Sequence, residues 1–514
     1  MVVALSVVIV SASSSRTTVP YCALKEKLLR LIRQTSGYAL ANLLLKVAGF
    51  LLAFIYLDPQ YLSEAAFGQW EMLQVTAAIT SAFFGLGLSN GLLKLWAEPE
   101  NEDARDALAF TSLLAVGALA GAALALIFAA TGPLASVLLG DAARAPLVRL
   151  LAGYVVFQMV LQVPKNLIRI YERVGLFVLM ILGRMVVLVG GVYYFLVVAG
   201  AGLRGILYAY LLSLGLAATG LTVGVLRIVR WEVQKRFVRQ LVRLGAPLMM
   251  AGLAYKFLDA GDRYLLGWLA SDATVGVYGW AARLGAILNL LIVRSFRAAF
   301  DVLGVKDLEG DIQEADFHRR TFRHYAIWSS WAALGLSLAA YDLTRLVATS
   351  KAYLAAETLV FPIAVGFLFY GVYYMIVNIL YAGGKTGTIA VNVFLAALFN
   401  AGLNVVLIPL LGAMGAALAT AAAYLGLVLL TMRVIGRFTE STFPWGTLAR
   451  ALSAAGALYA LGLLSTDWPT ALRIAYRGGL VLLYLPLIPA LRLYTWAEVK
   501  EITRYLRERF AEEA

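Results

Sequence analysis

The stretch Thr386–Met432, TGTIAVNVFLAALFNAGLNVVLIPLLGAMGAALATAAAYLGLVLLTM, contains no Asp, Glu, Lys or Arg. One bilayer crossing takes ~20 apolar residues. The stretch is too long for one crossing, so the turn chemistry of Pro409 to Gly412 must divide it in two. Apolar runs of this kind recur along all 514 residues, of which 61% are hydrophobic and 14% charged, with a mean hydropathy of +0.81. Soluble domains carry about a quarter charged residues. A soluble globular protein is excluded, and the chain reads as an all-α polytopic membrane protein.

Bounding the apolar runs by charges and turn signals yields about fourteen transmembrane helices. They fall near 36–57, 68–93, 107–131, 147–164, 175–198, 203–226, 245–269, 274–300, 322–347, 358–382, 387–408, 413–434, 447–465 and 474–491. The connections between them are short, and none is long enough for a catalytic domain. Lys25, Lys27, Arg30 and Arg33 precede the first span, and Lys165, Arg169 and Arg173 lie between the fourth and fifth. Arg227 to Arg243, Arg319 to Arg323, Arg433 to Arg450 and Arg492 to Arg509 complete a set that falls on one side of the membrane. The alternate loops Asp58 to Phe67, Ser271 to Thr274 and Pro409 to Ala413 have no Lys or Arg. The positive-inside rule then puts both termini in the cytoplasm. Topology accounts for most of the net charge of +13, so it is not read as nucleic-acid binding. Met1 to Val10 is too short to span and lacks a basic n-region; it is expected to be an unstructured start rather than a signal peptide. The single Cys22 excludes disulfides within the chain.

The halves match one another. Ser63, Glu64, Ala65, Phe67, Gly68 and Trp70 correspond in spacing to Ser271, Asp272, Ala273, Val275, Gly276 and Tyr278. Asn166, Leu167, Arg173 and Gly175 correspond to Asn378, Ile379, Lys385 and Gly387, and Gly202 and Gly205 to Gly412 and Gly415. Three matches in one order indicate six helices repeated in parallel. The expected organisation is an N-terminal tail (1–35), an N-lobe of six spans (36–230), an amphipathic interlobe linker (231–244), a C-lobe of six spans (245–437), two further spans (447–491) and an amphipathic cytoplasmic tail (492–514).

Charges inside the bilayer are costly and mark functional positions. At 1.5 Å per residue, Lys46, Arg184, Lys256 and Arg283 each lie roughly 14 to 17 Å from the near end of their helices, close to the midplane. Lys256, Asp259 and Arg263 are spaced i, i+3, i+7 and share a face, with Asp262 further round. The cations outnumber Asp259 and Asp262, which favours a water-filled cationic cavity suited to a diphosphate, whose oxygens match Arg forks. Arg263, near the end of its span, has pairing with Asp259 as an equal alternative. Gln158, Gln162, Asn42, Gln74, Asn289, Asn378, Asn392 and Asn404 could bond sugar hydroxyls, though interhelical hydrogen bonding is the more common use. Trp70, Tyr278 and Trp280 are expected in an aromatic belt. GlyLysThr at 384–386 lacks the earlier glycine and the strand of a phosphate-binding loop. His318 and His324 have no ligands at metal spacing, so no metal site is expected.

The segments GAPLMMAGLAYKFLDAGDRYLLGWLASDATVGVYGWAARLG (Gly245 to Gly285) and NAGLNVVLIPLLGAMGAALATAAAY (Asn400 to Tyr424), set in two six-helix lobes plus two helices, resemble the multidrug/oligosaccharidyl-lipid/polysaccharide (MOP) exporter superfamily. Within it the chain most resembles the Wzx-type polysaccharide (O-antigen) flippases. The resemblance implies a V-shaped pair of lobes and a non-enzymatic flippase of the cytoplasmic (inner) membrane. Its substrate would be an undecaprenyl-diphosphate-linked oligosaccharide, bound by Lys46, Arg184, Lys256, Arg263 and Arg283, with the lipid tail in a groove of the last two spans. No cofactor is expected; Na+ or H+ coupling falls to Asp259 and Asp262, with ion pairing to Lys256 and Arg263 the competing reading. Membrane lipids, a polysaccharide polymerase and assembly proteins are the expected partners. The alternatives are a cation-coupled multidrug (MATE-like) extruder and a peptidoglycan lipid II flippase.

Overall fold

The computed structural model describes residues 44, 47–97, 102–297, 313–436 and 443–494. Among them there are only helices, turns and loops. Among the described residues ten helices are long and apolar enough to cross a membrane, eleven when one bent pair is taken as a span. Lys46, the tail 1–35 and the terminal segment 495–514 lie outside the described residues.

The helices are α1 (Val47–Tyr56), α2 (Glu64–Phe84), α3 (Leu88–Leu95), α4 (Glu102–Ala129), α5 (Thr131–Leu139), α6 (Ala145–Ile170), α7 (Val174–Val192), α8 (Gly202–Leu226), α9 (Lys235–Ala260), α10 (Asp262–Leu269), α11 (Asp272–Leu288), α12 (Gln313–Val347), α13 (Ala356–Ala382), α14 (Thr386–Leu411), α15 (Ala413–Ile435), α16 (Trp445–Leu463) and α17 (Thr470–Ala490). Gly412, at φ 58°, ends α14 one residue before α15 begins, which is how the charge-free stretch is divided.

The matched sequence positions share their local geometry. Ser63 accepts from the Ala66 N–H at 3.2 Å and Ser271 from the Thr274 N–H at 3.1 Å, so both cap a helix N-terminus through the same S-x-x spacing. At the second match the N–H of Arg173 bonds the Ile168 carbonyl and that of Lys385 the Leu380 carbonyl. Glu172 and Gly384 precede them at φ 53° and 67°. At the third, Gly202 and Gly412 both take positive φ. A Cβ on Gly205 or Gly415 would meet the carbonyl oxygen of Phe195 or Leu407 at 2.9 or 2.2 Å. Repeated sequence here means repeated turns.

Two expectations are corrected. The segment 231–244 is not a separate linker helix: residues 231–234 are non-helical and α9 runs unbroken from Lys235 through Gly245 to Ala260. Pro247 lies inside α9, and nothing between Arg243 and Gly245 ends it. The span expected at 245–269 is instead interrupted at Gly261, after which α10 starts afresh.

The chain forms two compact units that divide between Val277 and Tyr278, inside α11; Val347–Ser350 belongs with the earlier unit. In that unit α9 packs on α3 because two glycines permit it. A Cβ on Gly87 would lie 2.2 Å from the Gly245 carbonyl oxygen, and one on Gly245 would lie 2.6 Å from that of Gly87. Gly87 (φ 64°) also sits at the 51° bend between α2 and α3. In the later unit, Ile327, Leu334 and Leu338 of α12 pack with Ala451, Ala455 and Leu458 of α16 and with Leu480, Tyr484 and Ile488 of α17. On α14, Val391, Phe394, Leu398, Val405 and Val406 are exposed while Asn392, Asn400 and Asn404 are buried. This inversion of soluble-protein patterning is what a lipid-facing helix requires.

Candidate functional site

The expected cations separate into distinct environments. Arg184 is half-buried on α7, and its Nε is buried without a hydrogen-bond partner. Its main-chain carbonyl accepts from Ser213 Oγ of α8 at 3.0 Å. Around its side chain, within electrostatic range, are Tyr154 of α6 and Tyr210 of α8. These rings close on Trp70 of α2, with centroids 4.7 Å (Trp70–Tyr210), 6.4 Å (Trp70–Tyr154) and 5.6 Å (Tyr154–Tyr210) apart. The fourth neighbour is Lys165, also half-buried. The sequence placed it in a loop, but α6 continues past Pro164 to Ile170. Neither Lys165 nor Arg184 has an ion-pair partner among the described residues.

Arg263 is occupied. Its Nε stands 3.6 Å from Glu71 Oε2 of α2 and its Nη1 3.1 Å from Asp262 Oδ1. Nη1 also reaches the Asp259 main-chain carbonyl at 3.5 Å. Asp262 is 1% exposed, so this group of charges is sealed. Lys256 is half-buried on α9 with Asp259 as its electrostatic neighbour. Arg283 is half-buried on α11 in the later unit. That unit holds a further cation not singled out from sequence: Arg297 packs 4.1 Å over the Tyr374 ring and lines a water-sized cavity with Phe296, Tyr325 and Asn378.

Other expectations resolve as packing. Trp70 and Trp280 are not belt residues: they are 0% and 1% exposed, and Trp280 Nε1 donates to Thr344 Oγ1 at 2.9 Å. Gln158 accepts from Ser81 and Gln162 from Ser89. Asn392 donates to Thr431 on α15, and Asn404 to Asn400 one turn away. Arg473 and Arg477 of α17 pair with Asp342 of α12 at 2.5 Å and Glu357 of α13 at 2.6 Å. Both guanidiniums also stack on the Tyr341 ring, 4.5 and 5.7 Å from its centre. A buried charge is tolerated when paired and fully hydrogen-bonded, and Arg473 adds the Thr466 and Trp468 carbonyls.

Chemically, Arg184 differs from the rest: the groups that act on it electrostatically are the phenols of Tyr154 and Tyr210 rather than carboxylates, and the neighbours of Lys165 are the like charges of Arg184 and Arg169. Such a place attracts an anion.

A family profile described as "Polysaccharide biosynthesis protein" matches residues 31–303. No curated protein sequence matches the chain significantly. Among solved structures, the fold is similar to that of "Lipid II flippase MurJ, inward closed conformation", with TM-score 0.68, 14% identity and coverage of 88% of this chain and 98% of the other. It is also similar to an inward-facing "multidrug resistance MATE family transporter of the MOP superfamily", with TM-score 0.56, 16% identity and coverage of 77% and 96%. An outward-facing structure of such a MATE transporter aligns with TM-score 0.53, 17% identity and coverage of 80% and 95%.

Proposed function

The chain belongs to the polysaccharide biosynthesis protein family, is a multi-pass membrane protein with the fold of MOP-superfamily transporters, and on that premise we propose that it is a flippase. Its substrate is an undecaprenyl-diphosphate-linked oligosaccharide, moved from the inner to the outer leaflet of the cytoplasmic membrane by alternating access. The observation that carries this reading is the Lys165–Arg184 pair, two cations on α6 and α7 with no carboxylate partner among the described residues. Lys256 and Arg283 supply further positive charge, each within its own unit. An extruder of cationic drugs would need the opposite polarity, and among the described residues four acids of the helices are committed elsewhere: Glu71 and Asp262 to Arg263, Asp342 and Glu357 to Arg473 and Arg477.

Both termini are cytoplasmic in this reading, which follows the Lys/Arg asymmetry. With Asp262 sealed against Arg263, ion coupling falls to Asp259, half-buried beside Lys256. The chain acts on its substrate as a transporter, without bond chemistry, and hands the glycolipid to the polymerase and assembly proteins.

The test is translocation in proteoliposomes of three probes: an undecaprenyl-diphosphate O-antigen-type oligosaccharide, lipid II and a cationic dye. Flipping of the first supports the proposal. Transport of the dye alone would replace it with the extruder reading, and movement of lipid II alone would assign the chain to peptidoglycan synthesis. Repeating the assay with sodium and membrane potential varied tests coupling; flipping that ignores both would remove the role of Asp259.

A further inference from the structure

The start of α9 runs against helix chemistry. A helix N-terminus carries partial positive charge and favours acids, yet the first turn of α9 holds Lys235 and Arg236 and no acid. Arg239 and Arg243 follow. At about 100° per residue these cations fall within one arc of about 100°, and the buried positions Phe237, Leu241, Gly245 and Met249 take the opposite side. All four cations are exposed, and none has an ion-pair partner among the described residues. The acids close by in the structure are engaged: Asp103 pairs with Arg230, and Glu232 accepts from Gln234.

Further along, the same stripe turns apolar. Met250 and Phe257 continue the series Arg236, Arg243 in steps of seven residues, which keeps one face, and they are 62% and 47% exposed. The level of the cations follows from length. Together α9 and α10 run from Lys235 to Leu269, and the bilayer core takes about 20 residues, so a span ending at Leu269 leaves the first turns of α9 in the headgroup layer. Trp231, held at that end by stacking on Phe110 and by its Nε1 bond to the Leu226 carbonyl, is a side chain that favours this interface. From Arg243 to Phe257 the rise is about 21 Å, which matches the depth from headgroup to midplane in a bilayer about 40 to 45 Å thick.

A stripe that is cationic in the headgroup layer and apolar down to the midplane has the chemistry of a leaflet lipid with an acidic head. A soluble acidic protein would leave Met250 and Phe257 uncovered, and a zwitterionic lipid would bring its own positive charge against the arginines. The cations extend over about 12 Å, from Lys235 to Arg243, which suits the phosphates of leaflet lipids better than one compact diphosphate. We propose that α9 carries a binding site for anionic phospholipid of the cytoplasmic leaflet: Arg236, Arg239 and Arg243 hold the phosphate, and an acyl chain lies along Met250 and Phe257.

The experiment measures lipid retained by the full chain extracted from mixed phosphatidylcholine and phosphatidylglycerol vesicles, read by native mass spectrometry. The proteins are wild type, Arg236→Gln, Arg239→Gln and Arg243→Gln singly and combined, and Met250→Ser. A charge-matched control combines Arg149→Gln, Arg204→Gln and Lys351→Gln, exposed cations elsewhere in the chain. Wild type should retain phosphatidylglycerol over phosphatidylcholine, and less so in high salt. The attraction of one basic side chain to an anionic leaflet sets the scale, so the preference should fall about fivefold in each single variant and about a hundredfold in the triple. The control should keep it. Met250→Ser should weaken retention of both lipids and leave the preference between them unchanged. No transport is needed for this measurement, so it tests the site whether or not the chain flips a glycolipid.

A triple variant with the wild-type preference, or a preference that high salt leaves intact, would overturn the site. Displacement of phosphatidylglycerol from wild type by an equimolar undecaprenyl-diphosphate glycolipid would also overturn it and give the stripe to the substrate. Where the triple variant fails to fold, the single variants decide.

Discussion

The approach of α2 to α11 offers a quantitative test of the structure. A Cβ on Gly68 would lie 1.7 Å from the Asp272 carbonyl oxygen and 2.9 Å from the Gly276 nitrogen, where ordinary contact begins at 3.4 Å. Both obstacles are backbone, so no rotamer change relieves them. In Gly68→Ala the helices must part by about 1.7 Å along that line, the difference between 3.4 and 1.7 Å. That movement also stretches the 2.6 Å bond from Gln69 Nε2 to Asp272 Oδ2. Overpacking without side-chain relief costs about 2 to 3 kcal/mol, which shifts the balance between touching and parted helices by about 30- to 140-fold. The contact is reciprocal: a Cβ on Gly276 would meet the Glu64 oxygen at 2.4 Å. Gly276→Ala should therefore resemble Gly68→Ala, and the double variant should cost little more than either, because one separation clears both clashes. The assay is the labelling rate of Gln69→Cys by a membrane-impermeant maleimide in a Cys22→Ser background, with and without Gly68→Ala, alongside melting temperature. Gly121→Ala, where a Cβ meets nothing within 4 Å, is the control. Labelling that stays within twofold, with unchanged melting, would refute the close approach.

Three further outcomes are expected. Glu357→Gln or Arg477→Met should each destabilise the purified protein by about 3 to 5 kcal/mol, since each strands a buried charge, while the double variant recovers much of the loss; additive melting shifts would argue against the pair. Arg263→Gln should be more destabilising than Lys256→Gln, because it leaves buried Glu71 and Asp262 uncompensated, and comparison of thermal melts decides the order. Glu172 holds φ 53° where its repeat mate is Gly384, so Glu172→Gly should stabilise by about 1 kcal/mol, read as a raised melting temperature; a lowered one would mean the side chain's contacts outweigh the backbone strain.

What could be read from sequence was local. Apolar run length located the helices, and Pro409 to Gly412 located the break in the longest run. The matched positions were visible because capping serines and turn glycines act through their immediate neighbours. Glu172 shows the edge of this legibility: its turn is that of Gly384, but its side chain gives no sign of it. Pro164 looked like the end of a span, and only the continuation of α6 to Ile170 moves Lys165 from loop to helix. Pairing was illegible for a different reason. Arg473 meets Asp342 and Arg263 meets Glu71 across more than a hundred residues, and no periodicity within one helix encodes a partner on another. The same holds for Trp70 and Trp280, whose burial is decided by neighbours far away in the chain.

The fastening of α17 has a consequence for any lipid that accompanies the substrate. Arg473 and Arg477 anchor this helix to α12 and α13 through two buried ion pairs, and Tyr484 and Trp331 add bonds between α12 and α17 deeper in the bundle. The last two helices are thereby welded to their unit rather than hinged on it. Under the proposed flippase reading, a polyprenyl chain lying along α16 and α17 would keep its register with this unit.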